Sequence, residues 1–275
     1  MGLTAFLSEH VKGYVVMAFR VACAQMNVAL GDKKTNLETA VQMIKEAANR
    51  EVDLIVLPEL FTTGYCLDKA GVLAESSQGH TMELLRDLAG RFRIFIVAGS
   101  ILEKRDSQIF NTCHLIGKDG KLLGHYDKIH LFPPFREDHY LSAGTDTPII
   151  KTELGLFGVM ICFDIRFPEL AGKLAYNGAQ VLFCPAEFPA ERIAVWATLI
   201  RARAIENQVF VIGCNRVGSD GKNLFGGRSA IINPEGHTLA QANNGHQLID
   251  AMINLDEIIA VRKSLPVMNF RHKKY

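Results

Sequence analysis

The stretch GVMICFDIRFPEL, residues 158–170, decides how this chain is read. Its apolar run around Val159–Ile161 has the character of a buried strand. Cys162 arrives where that run stops, polar and charged residues follow at once, and Pro168 is placed to open a helix, because its fixed φ suits the first helical position. A strand, a corner and a helix in thirteen residues are the unit of an α/β fold. The same stretch leaves two readings of Cys162 open: one more core cysteine, or a nucleophile held at the corner.

Working outward, the unit recurs. AQVLFCPAEF (179–188) is the next buried strand, and ERIAVWATLIRARAIEN (191–207) a long helix with Ile193, Trp196, Ile200 and Ala204 in one stripe. The strands VFVIGCN (209–215), SAIINP (229–234) and HQLIDAMINL (246–255) follow. In the first half RVACAQMNV (20–28) and VDLIVLPEL (52–60) are buried strands. Between them TNLETAVQMIKEAANR (35–50) is a helix, with Asn36 read as its N-cap. TMELLRDLAGRF (81–92) is a helix, IFIVAGSIL (94–102) a strand, and residues 111–131 a hairpin turning at Asp119-Gly120. Continuous Val/Ile/Leu strands separated by helices imply a mixed α/β sandwich buried on both sheet faces.

Composition sets the bounds. The 275 residues are 48% hydrophobic and 21% charged, ordinary values for a globular enzyme, with a net charge of +1. That balance offers no electrostatic attraction to nucleic acid or an anionic membrane, and no apolar run approaches the ~20 residues that span a bilayer. Nothing divides the chain internally, so residues 17–275 read as one domain ending in an irregular tail. Residues 1–16 read as a poorly ordered leader that lacks the features of a signal peptide. Of the six cysteines, Cys23, Cys113, Cys184 and Cys214 lie inside apolar runs and read as core, while Cys66 sits in a turn with no task. No His/Cys cluster has metal spacing, so no metal is expected.

Chemistry in a buried α/β sheet collects where strands end. Glu59 follows DLIVLP, Lys128 follows LLGHYD, and Cys162 follows LFGVMI. A cysteine attacks as thiolate, so a base must take its proton; Glu59 is the candidate base and Lys128 the cation for a tetrahedral oxyanion. The backbone N–H of Phe163 is the second candidate donor. These types suit covalent acyl transfer, but spacing alone does not bring them together. A Cys-His enzyme using His130 or His139, and a non-catalytic scaffold, are the rivals from other classes.

LPELFTTGY (57–65), YDKIHLF (126–132) and ICFDIRFPEL (161–170) resemble the three signature blocks of the nitrilase, or carbon–nitrogen hydrolase, superfamily. The resemblance continues through RARAIENQVFVIGCNRVGSDG (201–221) and FGGRSAIINPEG (225–236) and covers the chain from about Phe19. It implies a four-layer α-β-β-α sandwich, a homodimer or higher homo-oligomer, a cytoplasmic location, and no cofactor. It puts the catalytic glutamate, lysine and cysteine on Glu59, Lys128 and Cys162, and a fourth residue, which positions the lysine and substrate, on Glu137 in FREDHYLSAG. CFDIRFPE resembles the amidase branch and, within it, bacterial ω-amidases. The implied partner is a small-molecule amide, cleaved to acid and ammonia through a thioester; an N-carbamoyl amino acid amidohydrolase is the alternative with the same triad. A carboxylate-bearing substrate needs a cation, for which Arg166 and Arg192 are candidates. For Arg166 a structural ion pair with Glu169 or a neighbouring acid is the favoured reading. Tyr65, Phe188 and Trp196 are candidates for the pocket wall.

Overall fold

The computed structural model describes residues 18–271, so the expectations for the leader and for the start of the domain at Met17 lie outside it, as does the end of the tail. Two sheets stack face to face. The first has seven strands. β1 (Ala18–Gln25), β2 (Leu54–Val56) and β3 (Phe95–Val97) run parallel at its centre, while β4 (Ile101–Arg105), β5 (Gln108–Ile116) and β6 (Leu122–Asp127) form antiparallel hairpins at one side. The second has six: β7 (Ile150–Thr152), β8 (Gly155–Val159), β9 (Val181–Ala186), β10 (Phe210–Asn215), β13 (Ala230–Ile232) and β14 (Thr238–Gln241), with β8, β9 and β10 parallel. Between β10 and β13 lies a small separate hairpin of β11 (Val217–Ser219) and β12 (Leu224–Gly226). The long strand β15 (Gln247–Asn254) returns to the first sheet and pairs antiparallel with β1 along its whole length.

The period-two alternation of the strands builds the layers. Val21 and Cys23 of β1, with Leu54 and Val56 of β2, join the core between the sheets, where Phe157, Val159, Val181 and Phe183 meet them. Their alternates Ala22, Ala24 and Ile55 face outward, onto Leu37, Ala40 and Ile44 of helix α1 (Lys33–Asn49) and Met82 and Leu85 of α2 (His80–Phe92). The second sheet is covered on its outer face by α3 (Pro168–Tyr176), α4 (Ile193–Asn207) and, toward its edge, α5 (Asp256–Ser264). The result is the expected four-layer α-β-β-α sandwich. Full burial of each Val, Leu or Ile contributes roughly 1.5–3 kcal/mol, which is why strands apolar on both faces end up between two cover layers.

Local signals behave as read, with two corrections. Residues 94–102, read as one strand, are β3 and β4 broken at Gly99, which has φ 54°. Asp119-Gly120 turns the β5–β6 hairpin, Gly120 in the left-handed region at φ 78°, and Pro168 opens α3. Trp196, Ile200 and Ala204 are buried on α4, with Ile193 packed beside them. Cys23, Cys113, Cys184 and Cys214 are buried strand residues. The N-cap of α1, however, is Asp32, whose Oδ1 accepts the Thr35 N–H at 3.1 Å. Asn36 is inside the helix and buried, donating to Thr62 O at 2.8 Å and exchanging two bonds with Ala29. A tertiary contact to the loop after β2 claims the amide that local propensity assigned to a cap.

Candidate active site

Four strand ends converge. Glu59 follows β2, Lys128 follows β6, Cys162 follows β8, and Glu187 follows β9. Each lies beyond the carboxyl end of its strand, and all four side chains are buried. Fully buried charge is tolerated only where partners surround it, and around Glu59 and Lys128 they do.

Glu59 collects donors on both carboxylate oxygens. Its Oε1 accepts from Lys128 Nζ (2.8 Å), Asn111 Nδ2 (2.9 Å) and the Tyr65 hydroxyl (2.9 Å). Its Oε2 accepts the backbone N–H of Glu187 at 2.9 Å. Lys128 Nζ also donates to Glu137 Oε2 at 2.6 Å and to the Tyr65 hydroxyl at 3.2 Å. Glu137 is held in turn by the Phe132 N–H (2.6 Å) and by Asn111 Nδ2 (3.0 Å). Burial works against the lysine's charge, but the carboxylates of Glu137 and Glu59 outweigh it and raise its pKa above the ordinary value. The ammonium is therefore permanent. Burial, with the nearby Glu59 charge, pushes Glu137 up despite the Lys128 contact.

Cys162 has φ 46°, a left-handed conformation uncommon for a residue with a side chain. It begins a 3-10 turn, Cys162–Arg166, whose first backbone N–H groups have no acceptor inside the turn. Burial and then the Glu59 charge raise its thiol pKa well above the free value, opposed by Lys128. At neutral pH it is a protonated thiol facing a carboxylate.

Asp164, two residues on, clamps this corner. Its Oδ2 accepts the Ile161 N–H (2.9 Å) and the Tyr126 hydroxyl (2.8 Å), and its Oδ1 accepts the His130 N–H (2.9 Å) and Nδ1–H (2.7 Å). The turn carrying the cysteine is thus tied to the segment carrying the lysine. The His130 ring stacks on Phe167 at 3.5 Å between centroids.

A narrow cleft opens onto Cys162, with about 260 Å³ of empty volume, lined by Phe132, Phe163, Arg166, Glu187, Phe188, Pro189 and Arg192. A larger hollow lies elsewhere, between α1 and α2, and holds none of the four converging residues.

The structure places Glu59, Lys128 and Glu137 in one hydrogen-bonded group with Cys162 at the adjoining cleft; Tyr65 touches Glu59, and Phe163, Phe188, Arg166 and Arg192 line the cleft. Three expectations change. Arg166 makes no ion pair with Glu169 or another acid among the described residues; its guanidinium lies 5.8 Å from the Phe188 ring. Trp196 is core, its indole N–H donating to Arg228 O at 2.9 Å behind Phe188. Neither rival histidine bonds Cys162: His130 is taken by Asp164, and His139 is exposed beside Asp138. Sequence reading missed Asn111, Asp164, and Glu187 with its partner Arg216. Asn111, a lone amide at the start of an apolar run, carried the faint signal.

The carbon-nitrogen hydrolase family model matches residues 20–263. The chain is 38% identical to the 2-oxoglutaramate amidase of Bacillus subtilis, over 92% of this chain and 97% of that one. It is 32% identical to the omega-amidase NIT3 of Saccharomyces cerevisiae, over 98% and 96%. The crystal structure of yeast NIT3, a member of branch 10 of the nitrilase superfamily, superposes with a TM-score of 0.87 at 31% identity, over 96% of this chain and all of that one. The chain belongs to the carbon-nitrogen hydrolase family and is a hydrolase acting on carbon–nitrogen bonds.

Proposed function

We propose that this protein is an ω-amidase-like amidohydrolase, which cleaves the terminal carboxamide of a small carboxylate-bearing substrate through a thioester on Cys162. The observation that carries the reading is the buried Lys128 bonded to both Glu59 and Glu137, with the neutral Cys162 thiol lining the cleft next to them. The 2-oxoglutaramate amidase and omega-amidase relatives support the substrate class.

In this mechanism Glu59 takes the thiol proton as sulfur attacks the amide carbonyl, so a thiolate forms only when its target is in place. The developing oxyanion is met by the Lys128 ammonium and the Phe163 N–H, donors already aligned before the reaction and worth most in a dry site. Collapse breaks the carbon–nitrogen bond, Glu59 returns its proton to the nitrogen, and ammonia leaves an acyl thioester. A water, deprotonated by Glu59, then attacks; the carboxylic acid departs and the thiol regains its proton. Glu137 and Asn111 hold Lys128 and Glu59 in register throughout. Arg166 and Arg192 at the cleft attract the substrate's carboxylate. No step calls on a metal or an organic cofactor.

No described helix is long and apolar enough to cross a membrane, and we take the protein as a cytoplasmic homo-oligomer. Ile205 on α4, with Ile259 on α5 and Leu265 just after it, offers exposed apolar surface to a second copy.

The test is ammonia release from 2-oxoglutaramate, succinamate, an N-carbamoyl amino acid and an aliphatic nitrile, with Cys162→Ala alongside. Turnover of the first two, abolished by the substitution, is expected. Turnover of the carbamoyl compound alone would move the substrate to the carbamoylase class, and undiminished activity in Cys162→Ala would refute the nucleophile.

A further inference from the structure

Glu187 is a buried carboxyl that the mechanism above does not use. It lines the cleft beside Cys162, and its side chain is fully buried. Its Oε2 accepts from Arg216 Nη1 at 3.3 Å, while its Oε1 has no hydrogen-bond partner. An orphaned buried oxygen is destabilising, and native proteins keep few of them. Arg216 is itself spent on scaffolding: it donates to Val28 O and Val217 O and lies over the Phe225 ring. The backbone of Glu187 meanwhile donates to Glu59. One residue therefore spans the base and the wall of the acyl pocket.

We propose that Glu187 is a specificity-determining residue, its free carboxyl oxygen hydrogen-bonding the polar end of the substrate remote from the scissile amide. This rests on the amidase reading and adds a second contact to the arginines. Burial pushes the carboxyl pKa up to about 8; Arg216 opposes the shift, while Glu59 and Asp220 add to it. At neutral pH the group keeps its proton. Because Oε2 accepts from Arg216, that proton belongs on Oε1, where it donates to an acceptor such as a substrate carboxylate or oxo oxygen. The charges around it are then Arg216 behind, Glu59 and the Lys128 ammonium on the catalytic side, Asp220 further off, and Arg166 and Arg192 along the cleft. A neutral Glu187 leaves those two arginines free for an anionic substrate. Once ionised, it sets a negative charge against the same end and accepts where it had donated.

The experiment compares succinamate with succinamide, which differ only in presenting a carboxylate or a carboxamide at the far end. The measured quantity is the ratio of their kcat/KM values between pH 6 and 9.5, in which any titration that affects both substrates alike cancels. In the wild type the ratio falls roughly tenfold between pH 7 and pH 9, as one proton leaves a group of pKa about 8. In Glu187→Gln, an uncharged variant of the same shape, the ratio is flat. A ratio independent of pH in the wild type, or an equal fall in the variant, overturns the proposal. Alkylation of Cys162 by iodoacetate against iodoacetamide, read by peptide mass, poses the same question without turnover. The rate ratio falls with pH in the wild type alone if the proposal holds, and a ratio that behaves alike in both proteins refutes it. Absence of hydrolysis of both amides would instead count against the amidase reading.

Discussion

Asp164→Asn isolates the clamp on the nucleophile corner from the chemistry itself. The aspartate is fully buried and accepts from Tyr126, Ile161 and both nitrogen donors of His130. Asparagine keeps the shape but replaces one acceptor oxygen with a donor amide. The least costly orientation turns the amide toward His130, whose ring can change tautomer and accept. The His130 backbone N–H then still faces a donor and is left unsatisfied, at about 1–3 kcal/mol. In a protein of this size each kcal/mol lowers Tm by about 2–4 °C. The reverse orientation frees the Ile161 N–H instead, next to a Cys162 backbone held at φ 46°. Either way the tie between the cysteine turn and the lysine segment loosens, and misplacement by about 1 Å costs up to about 100-fold in rate. Urea unfolding gives the stability and initial-rate kinetics give kcat and KM. A stability loss in that range with a fall in kcat, and a smaller change in KM, is expected. Wild-type kcat in a variant destabilised as calculated would refute the idea that the clamp positions the nucleophile; wild-type stability would refute the hydrogen-bond count.

Three further changes test other parts of the site. Glu137→Gln leaves Lys128 one carboxylate partner of two, so kcat falls by about 10²–10³-fold, measured by ammonia release. Gly99 has φ 54°, and a Cβ there would lie 1.9 Å from Pro58 O, one residue before Glu59; Gly99→Ala costs more than about 3 kcal/mol in denaturant melts and removes activity with it. Glu187 adds a pH-dependent contribution to stability. Its carboxyl is raised from 4.5 unfolded to about 8 folded, so the native state binds more protons between those values. The contribution is present in full below pH 4.5 and is lost as pH rises through 8, as the buried group is forced to ionise. Glu187→Gln lacks this loss, so its stability relative to the wild type rises between pH 5 and 8 by on the order of a few kcal/mol; a constant difference in urea midpoints would contradict the assignment.

What could be read from the residues themselves is what local periodicity encodes. Val21 with Ala22, and Leu54 with Ile55, are apolar on alternate positions, and a strand that must bury both faces needs a layer on each side. Strand ends at Glu59, Lys128 and Cys162 were visible as charged or reactive groups interrupting such runs, and the resemblance of the surrounding blocks assigned them roles. The tertiary structure decided which groups touch. Lys128 reaches Glu59 across 69 positions and the Glu187 amide reaches it across 128, separations over which no local pattern carries information. For the same reason Asn36 looked like a cap until a neighbouring loop claimed it, and Arg166 looked like half of an ion pair with Glu169. The orphaned oxygen of Glu187 and the left-handed backbone of Cys162 are likewise properties of the packed site. Periodicity records which side of an element is buried; only the folded chain fixes the partners found there, because hydrogen bonds and charge are satisfied in space and not along the sequence.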